Sequence, residues 1–408
     1  GRNLSPAITV AMKRTGEAAS GDNDSDEPHP KVAKCDDSIS NGKGTNTPSS
    51  IITHKFLSKA QMQCLEETSA AMTTHGKGIT ACDESSGTIG GRFQAVGIAN
   101  TEENRRAYRQ MLFTAQNCEE YLCAAILDPE TLYQKADDGR FFPEVLRSRG
   151  IVPGVKPHLK VYTIPGTNGD TVMQGLDSLA VRCKEYYKAG ARFAKWRSPL
   201  VIDVAKGRPT DLAIRSNMHD LARYALICQS EGLVPIVEPD VSLEGTHSLE
   251  TAVEVNIRVQ SELFKAMLDH GVYMPGATLK PNIVNPGRDC PINYTVQEIA
   301  EANVYVLENT FPVAMKGANF LSGGQTLEES AARLSAINQA NTKGHWNLSF
   351  SWSKALQLPL LKLCSEGKFR LEEMASLYLK ELRIASAAAK GDYKGREGEG
   401  EHKGQAQK

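Results

Sequence analysis

The sequence predicts a parallel (β/α)8 TIM barrel carrying a disordered N-terminal extension, and three observations lead there. Eight short apolar runs recur, at 78–81, 122–127, 151–155, 192–196, 234–237, 277–279, 319–321 and 347–350. The gaps between several of them carry helical spacing of apolar residues. Most of the runs end in a charged residue or in Ser and Gly. Buried strands alternating with helices between residues 56 and 390 are the pattern of a closed parallel barrel. A doubly wound open sheet would want Gly-x-Gly-x-x-Gly after its first strand, and Asp83-Glu84-Ser85-Ser86-Gly87 is not that.

The elements follow in order. Residues 1–55 are rich in Gly, Ser, Asn, Asp, Thr and Pro, with no apolar period, and are expected to be disordered. The chain opens on Gly1 without a Met, so part of the natural N-terminus is expected to be missing. Asp22, Asp24, Asp26, Glu27, Asp36 and Asp37 argue against an organelle (plastid) transit peptide, which is poor in acids. Lys13-Arg14 with Lys31 and Lys34 makes a weak two-part basic pattern that a nuclear address could share, but a solvated tail is the favoured reading. Asn100 with Glu103 reads as a helix start, followed by Ala107, Met111 and Ala115 on one face. Leu176, Ala180, Cys183 and Tyr187 repeat the spacing before the fourth strand, and Ile214, Met218, Leu221, Ala225 and Cys228 before the fifth. A last helix over 371–390 precedes a charged, Gly-rich flexible tail at 391–408.

Composition narrows the function. Forty-seven Lys and Arg against 48 Asp and Glu leave a net charge of -1, which argues against a nucleic-acid partner or a polybasic membrane surface. No apolar run approaches the roughly 18 residues of a spanning helix. The 9 cysteines contain no Cys-x-x-Cys, as reduced thiols in the cytoplasm would; Cys82, Cys123 and Cys228 read as small core residues. The 9 histidines are dispersed, so a histidine-bound catalytic metal is not expected, and no pattern calls for another cofactor. His247 reads as loop structure, and Trp196 and Trp352 as packing between barrel and helices.

In a parallel barrel the site lies at the C-terminal strand ends. Those ends supply Asp83, Lys156, Lys195 with Arg197, Glu238 with Asp240, Lys280, Ser322-Gly323-Gly324, and Ser353-Lys354. Residues two apart on a strand share a face. A charge at one strand end is usually a solvated rim; many converging on one rim share a cavity in which pKa values are pushed apart. Burial lowers the pKa of a lysine such as Lys280, and a neutral amine can attack a carbonyl to form a Schiff base. The glycines of 322–324, just before a helix start, can turn backbone N–H groups toward an anion, with Lys354 adding charge. A plain turn with a helix cap is the competing reading. The residues together suit a phosphorylated sugar.

The residues also resemble a known family. Gly-Lys-Gly-Ile-Thr-Ala-Cys-Asp-Glu-Ser-Ser-Gly at 76–87, Asn-Thr-Glu-Glu-Asn-Arg-Arg at 100–106, Glu-Thr-Leu-Tyr-Gln-Lys-Ala-Asp-Asp-Gly at 130–139 and Phe-Ala-Lys-Trp-Arg at 193–197 resemble class I fructose-1,6-bisphosphate aldolase. So do Val-Pro-Ile-Val-Glu-Pro at 234–239, Leu-Lys-Pro-Asn at 279–282, Phe-Leu-Ser-Gly-Gly-Gln at 320–325 and Ser-Phe-Ser at 349–351. The resemblance covers residues 56–390. It implies a metal-free, homotetrameric lyase of glycolysis, gluconeogenesis or carbon fixation. Such an enzyme splits fructose 1,6-bisphosphate reversibly into dihydroxyacetone phosphate and glyceraldehyde 3-phosphate.

By the family's pattern Lys280 forms the Schiff base and Glu238 is the general acid/base. Asp83 orients the C4 hydroxyl, and Lys195 supports carbinolamine chemistry and depresses the pKa of Lys280. Lys156 and Arg197 contact sugar and phosphate. Ser85 and Arg92 reach the far phosphate, while Ser322, Gly323 and Gly324 cradle the near one. Asp240 is counted with the catalytic residues; it stands where the family has a second Glu, so its contact to Lys195 is expected to lengthen or to run through water. The family's Gly-Arg is Ser353-Lys354, its Lys-Val-Asp is Lys156-Pro157-His158, and Gly91 stands where a lysine is common. The C-terminal tyrosine is absent, and Tyr393 lies too close to the last helix to replace it. Two other readings stay open: a weakened relative kept as a binding or scaffold protein, and a Schiff-base aldolase for another ketose phosphate.

Overall fold

The computed structural model describes residues 54–395. The readings of 1–55 and of 391–408 therefore fall almost wholly outside the described residues. Eight strands close into a barrel: β1 (Gly78–Cys82), β2 (Leu122–Leu127), β3 (Val152–Val155), β4 (Phe193–Val201), β5 (Val234–Ser242), β6 (Thr278–Leu279), β7 (Gly317–Phe320) and β8 (Asn347–Trp352). Each pairs in parallel with the next, and β8 closes against β1 through Ile79↔Ser351 and Thr80↔Trp352. The expected (β/α)8 barrel is the fold.

The strands are buried on both faces, which is why they read as unbroken apolar runs. β1 and β2 are buried at every residue. Inward-facing Ile79, Ala81, Ala124, Ile126, Phe193, Val234 and Ile236 form one core inside the barrel. Leu65 and Met72 of the helix Lys59–Met72 join that core. Outward-facing residues meet the helices in a second, larger core. Trp196 belongs to it, its ring 5.4 Å from Tyr224 of the helix Asp211–Ser230. Trp352 is buried in the same layer. Cys82, Cys123 and Cys228 are buried free thiols. Burial pushes Cys82 and Cys123 each up to about 12, so neither is a reactive thiolate.

Local signals set the helix starts with small corrections. The helix expected to begin at Asn100 runs Glu102–Thr114, because the Thr101 hydroxyl accepts from Asn104 N–H and caps it. The helix before β4 is Leu179–Lys188, leaving Leu176 outside it. An antiparallel hairpin, Val161–Thr163 with Thr171–Met173, sits in the β3–β4 connection. It went unread because its strands are only three residues each, the first exposed and the second partly buried. Among the described residues no helix is long and apolar enough to cross a membrane.

Candidate active site

The inward register that lays down the apolar floor also places the charges. Ala81 is followed two residues later by Asp83, Phe193 by Lys195 and Arg197, and Ile236 by Glu238 and Asp240. Where the floor stops, the same face becomes the wall of a cavity of about 550 Å³. Every candidate residue named from the sequence lines it: Asp83, Ser85, Arg92, Lys156, Lys195, Arg197, Glu238, Asp240, Lys280, Ser322, Gly323, Gly324, Ser353 and Lys354.

At its base the charges alternate. Lys195 Nζ lies 2.8 Å from Asp83 Oδ2 and 2.9 Å from Glu238 Oε2, and Lys280 Nζ lies 3.6 Å from Glu238 Oε1. All four side chains are buried. The two lysines consequently differ. Burial works against the Lys195 ammonium, but the flanking carboxylates of Asp83 and Glu238 outweigh it and hold its pKa above the ordinary lysine value. At Lys280 burial prevails; Glu238 opposes it, and the neighbouring Lys195 charge adds to it, so the pKa falls below the ordinary value. Lys280 is therefore the lysine positioned to present a neutral amine, and Lys195 the fixed cation. Burial alone would raise Asp83, but Lys195, Lys280 and Lys156 hold its carboxyl well below the usual range, so it stays ionised. Such a group can attack a carbonyl, pass a proton through Glu238, and keep a carboxylate ready for a hydroxyl.

Asp240 does not reach for Lys195. It accepts a hydrogen bond from Arg197 Nε at 2.6 Å, and this replaces the expected Lys195 contact. Lys195 already has two carboxylates, and the shorter Asp240 side chain meets the guanidinium of the adjoining strand. Lys156 donates to Asp128 at 2.9 Å. Asp128, at the end of β2, was missed; it follows an apolar run directly, but it also caps the turn Pro129–Leu132 and reads as a cap only.

The opposite wall holds a second network. Arg92 Nη1 pairs with Glu84 at 2.8 Å and donates to Ser353 Oγ at 3.1 Å, while Ser353 donates to Glu84. Glu84 and Thr88 line the cavity but were not singled out, since only the fold brings Glu84 to Ser353. Ser85 caps the helix Ser86–Gln94. Gly323 and Gly324 have φ of 60° and 87°, in the left-handed region that glycine enters freely. The following helix, Leu327–Ala340, is already capped by Thr326 with Glu329 in a capping box. An anion would therefore use the glycine turn and Lys354 more than the helix end.

His158, noted in the sequence only as a departure from the family's Asp, belongs to the cavity wall as well. It lines the cavity with both ring nitrogens unpartnered, and burial followed by the charge of Lys195 keeps its pKa well below the usual histidine value. Tyr393 is no part of the cavity wall; its backbone N–H donates to Ser335 Oγ at 3.2 Å.

Comparison with known proteins gives a single answer. Residues 64–408 match the family model described as fructose-bisphosphate aldolase class-I. The chain is 48% identical over 334 residues to fructose-bisphosphate aldolase of Dictyostelium discoideum, covering 82% of this chain and 93% of that one. It is 45% identical over 324 residues to the cytoplasmic isozyme of fructose-bisphosphate aldolase from Spinacia oleracea, covering 79% and 90%. The solved fructose-bisphosphate aldolase of Plasmodium falciparum, in ternary complex with TRAP and a small-molecule inhibitor, superposes with a TM-score of 0.82 at 43% identity. The match covers 84% of this chain and 99% of that one.

Proposed function

The chain belongs to the class I fructose-bisphosphate aldolase family, and from that premise we propose that it cleaves fructose 1,6-bisphosphate reversibly through a Schiff base on Lys280. The observation that carries the reading is the pairing of a buried, pKa-lowered Lys280 with Glu238 at 3.6 Å, on a floor shared with Lys195 and Asp83.

The neutral amine of Lys280 adds to the C2 ketone and gives a carbinolamine. Glu238 protonates the departing hydroxyl, water leaves, and a protonated imine remains. A carboxylate, Glu238 with Asp83 beside it, takes the C4 hydroxyl proton. The C3–C4 bond breaks, its electrons pass into the imine as an enamine, and glyceraldehyde 3-phosphate departs. Protonation at C3 and hydrolysis then release dihydroxyacetone phosphate and restore the amine. Lys195 offsets carboxylate charge throughout. Ser322, Gly323, Gly324, Ser353 and Lys354 are read as the near-phosphate contacts, and Ser85 with Arg92 as the far ones. Lys156, Arg197 and Asp240 are read as contacts along the sugar.

Persistence of Lys280, Glu238, Asp83 and Lys195 favours an active enzyme over a scaffold. A homotetrameric enzyme of the cytoplasm, in glycolysis, gluconeogenesis or carbon fixation, completes the reading; relatives named cytosolic or cytoplasmic support its location. Borohydride reduction in the presence of dihydroxyacetone phosphate, followed by peptide mass spectrometry, tests the chemistry. The expected product is an adduct on Lys280; folded protein yielding no adduct would remove the mechanism.

A further inference from the structure

Directly behind the Ser322-Gly323-Gly324 turn lies a second cavity of about 220 Å³, which the aldol chemistry does not use. Leu243 lines both cavities. The second is walled by the segment 285–294 and the start of the helix Leu327–Ala340. That segment is fastened to 243–247 by backbone bonds from Gly287 to His247, Arg288 to Leu243 and Asp289 to Gly245, at 2.7–2.9 Å. Gly287 is required there, because a Cβ would stand 2.3 Å from the Gly245 carbonyl oxygen.

Two arginines line this cavity. Among the described residues Arg333 forms no ion pair; its guanidinium donates to Gln325 Oε1, and the charge acting on it is that of Glu329 on the same cavity wall. The nearby Glu329 is committed to its helix cap, accepting from Thr326 N–H at 2.8 Å and from its hydroxyl at 3.2 Å. Arg288 has only a 3.6 Å approach to the exposed Glu244, and its Nη2 sits 3.5 Å from where a Gly324 Cβ would be. Arg333, part-way out of water with only a cap-bound carboxylate beside it, and Arg288, with only an exposed Glu244 at 3.6 Å, favour an anionic ligand. The third observation is Asn285. It lines the cavity at 6% exposure, and among the described residues its Oδ1 accepts no hydrogen bond. The ligand should therefore also present a hydroxyl donor.

We propose that this cavity is a second oxyanion site that takes a phosphate group between Arg288 and Arg333, with Asn285 accepting from a ligand hydroxyl. Inorganic phosphate carries such a hydroxyl at neutral pH, whereas a phosphate monoester is mostly dianionic there and would have to offer a hydroxyl of its alcohol part, as glycerol 3-phosphate can. The site is linked to the turn: Gln325 accepts from Arg333 and donates through Nε2 to the Ser322 carbonyl at 2.8 Å. An anion that recruits Arg333 alters the hold of Gln325 on Ser322. This link, though not the site itself, rests on reading 322–324 as the substrate's phosphate turn.

The test is isothermal titration of inorganic phosphate into the full chain and into Arg333→Gln, Arg288→Gln and Lys354→Gln. The expected result is a binding equivalent, separate from any at the substrate's phosphate contacts, that Lys354→Gln keeps and that weakens at least about tenfold in both arginine variants. Wild-type binding by both arginine variants, shown folded by circular dichroism, overturns the site. Should Arg333→Gln fail to fold, Arg288→Gln on its exposed loop decides alone. Glycerol 3-phosphate titrated in parallel distinguishes an ester ligand from free phosphate. Phosphate inhibition of bisphosphate cleavage should lose one component in Arg333→Gln; an inhibition pattern identical to wild type overturns the link through Gln325. Because binding is read without turnover, failure here is distinct from failure of the Schiff-base reading.

Discussion

Arg197 Nε donates to Asp240 Oδ2 at 2.6 Å, so the second acid of β5 holds a guanidinium of the neighbouring strand and leaves Lys195 to Asp83 and Glu238. The parallel register makes this possible by setting Arg197 beside Glu238 and Pro199 beside Asp240. Asp240 foremost, with burial opposing, keeps the Arg197 pKa above its ordinary value. Asp240→Asn should free a half-exposed guanidinium. Charge-assisted bonds contribute about 1.5–3 kcal/mol, and exposure places this one at the low end. The expected outcome is a KM for fructose 1,6-bisphosphate raised about tenfold with kcat within about threefold, read by steady-state kinetics. A fall in kcat with KM unmoved would shift Asp240 from positioning to chemistry.

Lys280→Met should abolish turnover and leave the fold intact. The substitution removes the nucleophile, so kcat should drop at least about 10⁴-fold. Burial already disfavours the Lys280 ammonium, and Glu238 keeps Lys195 as partner, so the melting temperature should hold or rise. Paired activity and thermal-melt measurements check both. Residual turnover within tenfold of wild type would remove Lys280 from the centre of the mechanism.

How much of this was legible follows from one geometric fact. Side chains alternate along a strand, so the inward face that reads Ala81, Phe193 and Ile236 must continue to Asp83, Lys195 and Glu238. Which residues share a rim is thus written locally. Which of two cations a given carboxylate takes is not: Asp240 could face Lys195 or Arg197, and the choice depends on side-chain length across two strands. Glu84 with Ser353 was equally beyond reach, because 269 residues separate them and only barrel closure brings them together. Asp128 carried two roles, helix cap and Lys156 partner, and its sequence context advertised just the first.

The pH dependence of Schiff-base formation should report the Lys280 environment. Its folded-state pKa is lowered, so the reactive neutral amine becomes abundant below the ordinary lysine range of about 10.4. Trapping rate should rise with pH and level off before that range. Lys195→Met removes a like charge and leaves Asp83 and Glu238 to stabilise the Lys280 ammonium. The rise should therefore move toward alkaline pH by about one unit or more, measured by the borohydride-trapped fraction. A shift toward acid pH would contradict the charge pattern.

Asp83 links the site to stability. Its folded-state pKa is depressed, so its contribution is present above the unfolded value of about 3.9 and is lost as pH falls through the folded one. Asp83→Asn leaves Lys195 buried against Glu238 alone. Urea unfolding at pH 7 should show a loss of about 2 kcal/mol, below the usual cost of stranding a buried charge because one partner remains. The gap between variant and wild type should narrow as pH approaches 4 and below; a gap independent of pH would mean that packing, not charge, is what the substitution disturbs.

Lys354 offers the sharpest test of the phosphate assignment. It lines the cavity at the start of the helix Lys354–Leu361, next to a Ser353 already bound to Arg92 and Glu84. An ammonium serves a phosphate as a point charge, whereas a guanidinium offers two parallel donors. Lys354→Arg should therefore lower KM for fructose 1,6-bisphosphate about three- to tenfold, with kcat changed less than about twofold. If Lys354 holds the phosphate nearest Lys280, fructose 1-phosphate should gain by the same factor, since it keeps that group and lacks the other. An improvement confined to the bisphosphate would move Lys354 to the far phosphate. No improvement with either substrate would remove it from phosphate binding and leave the Gly323–Gly324 turn to act without the cation that follows β8.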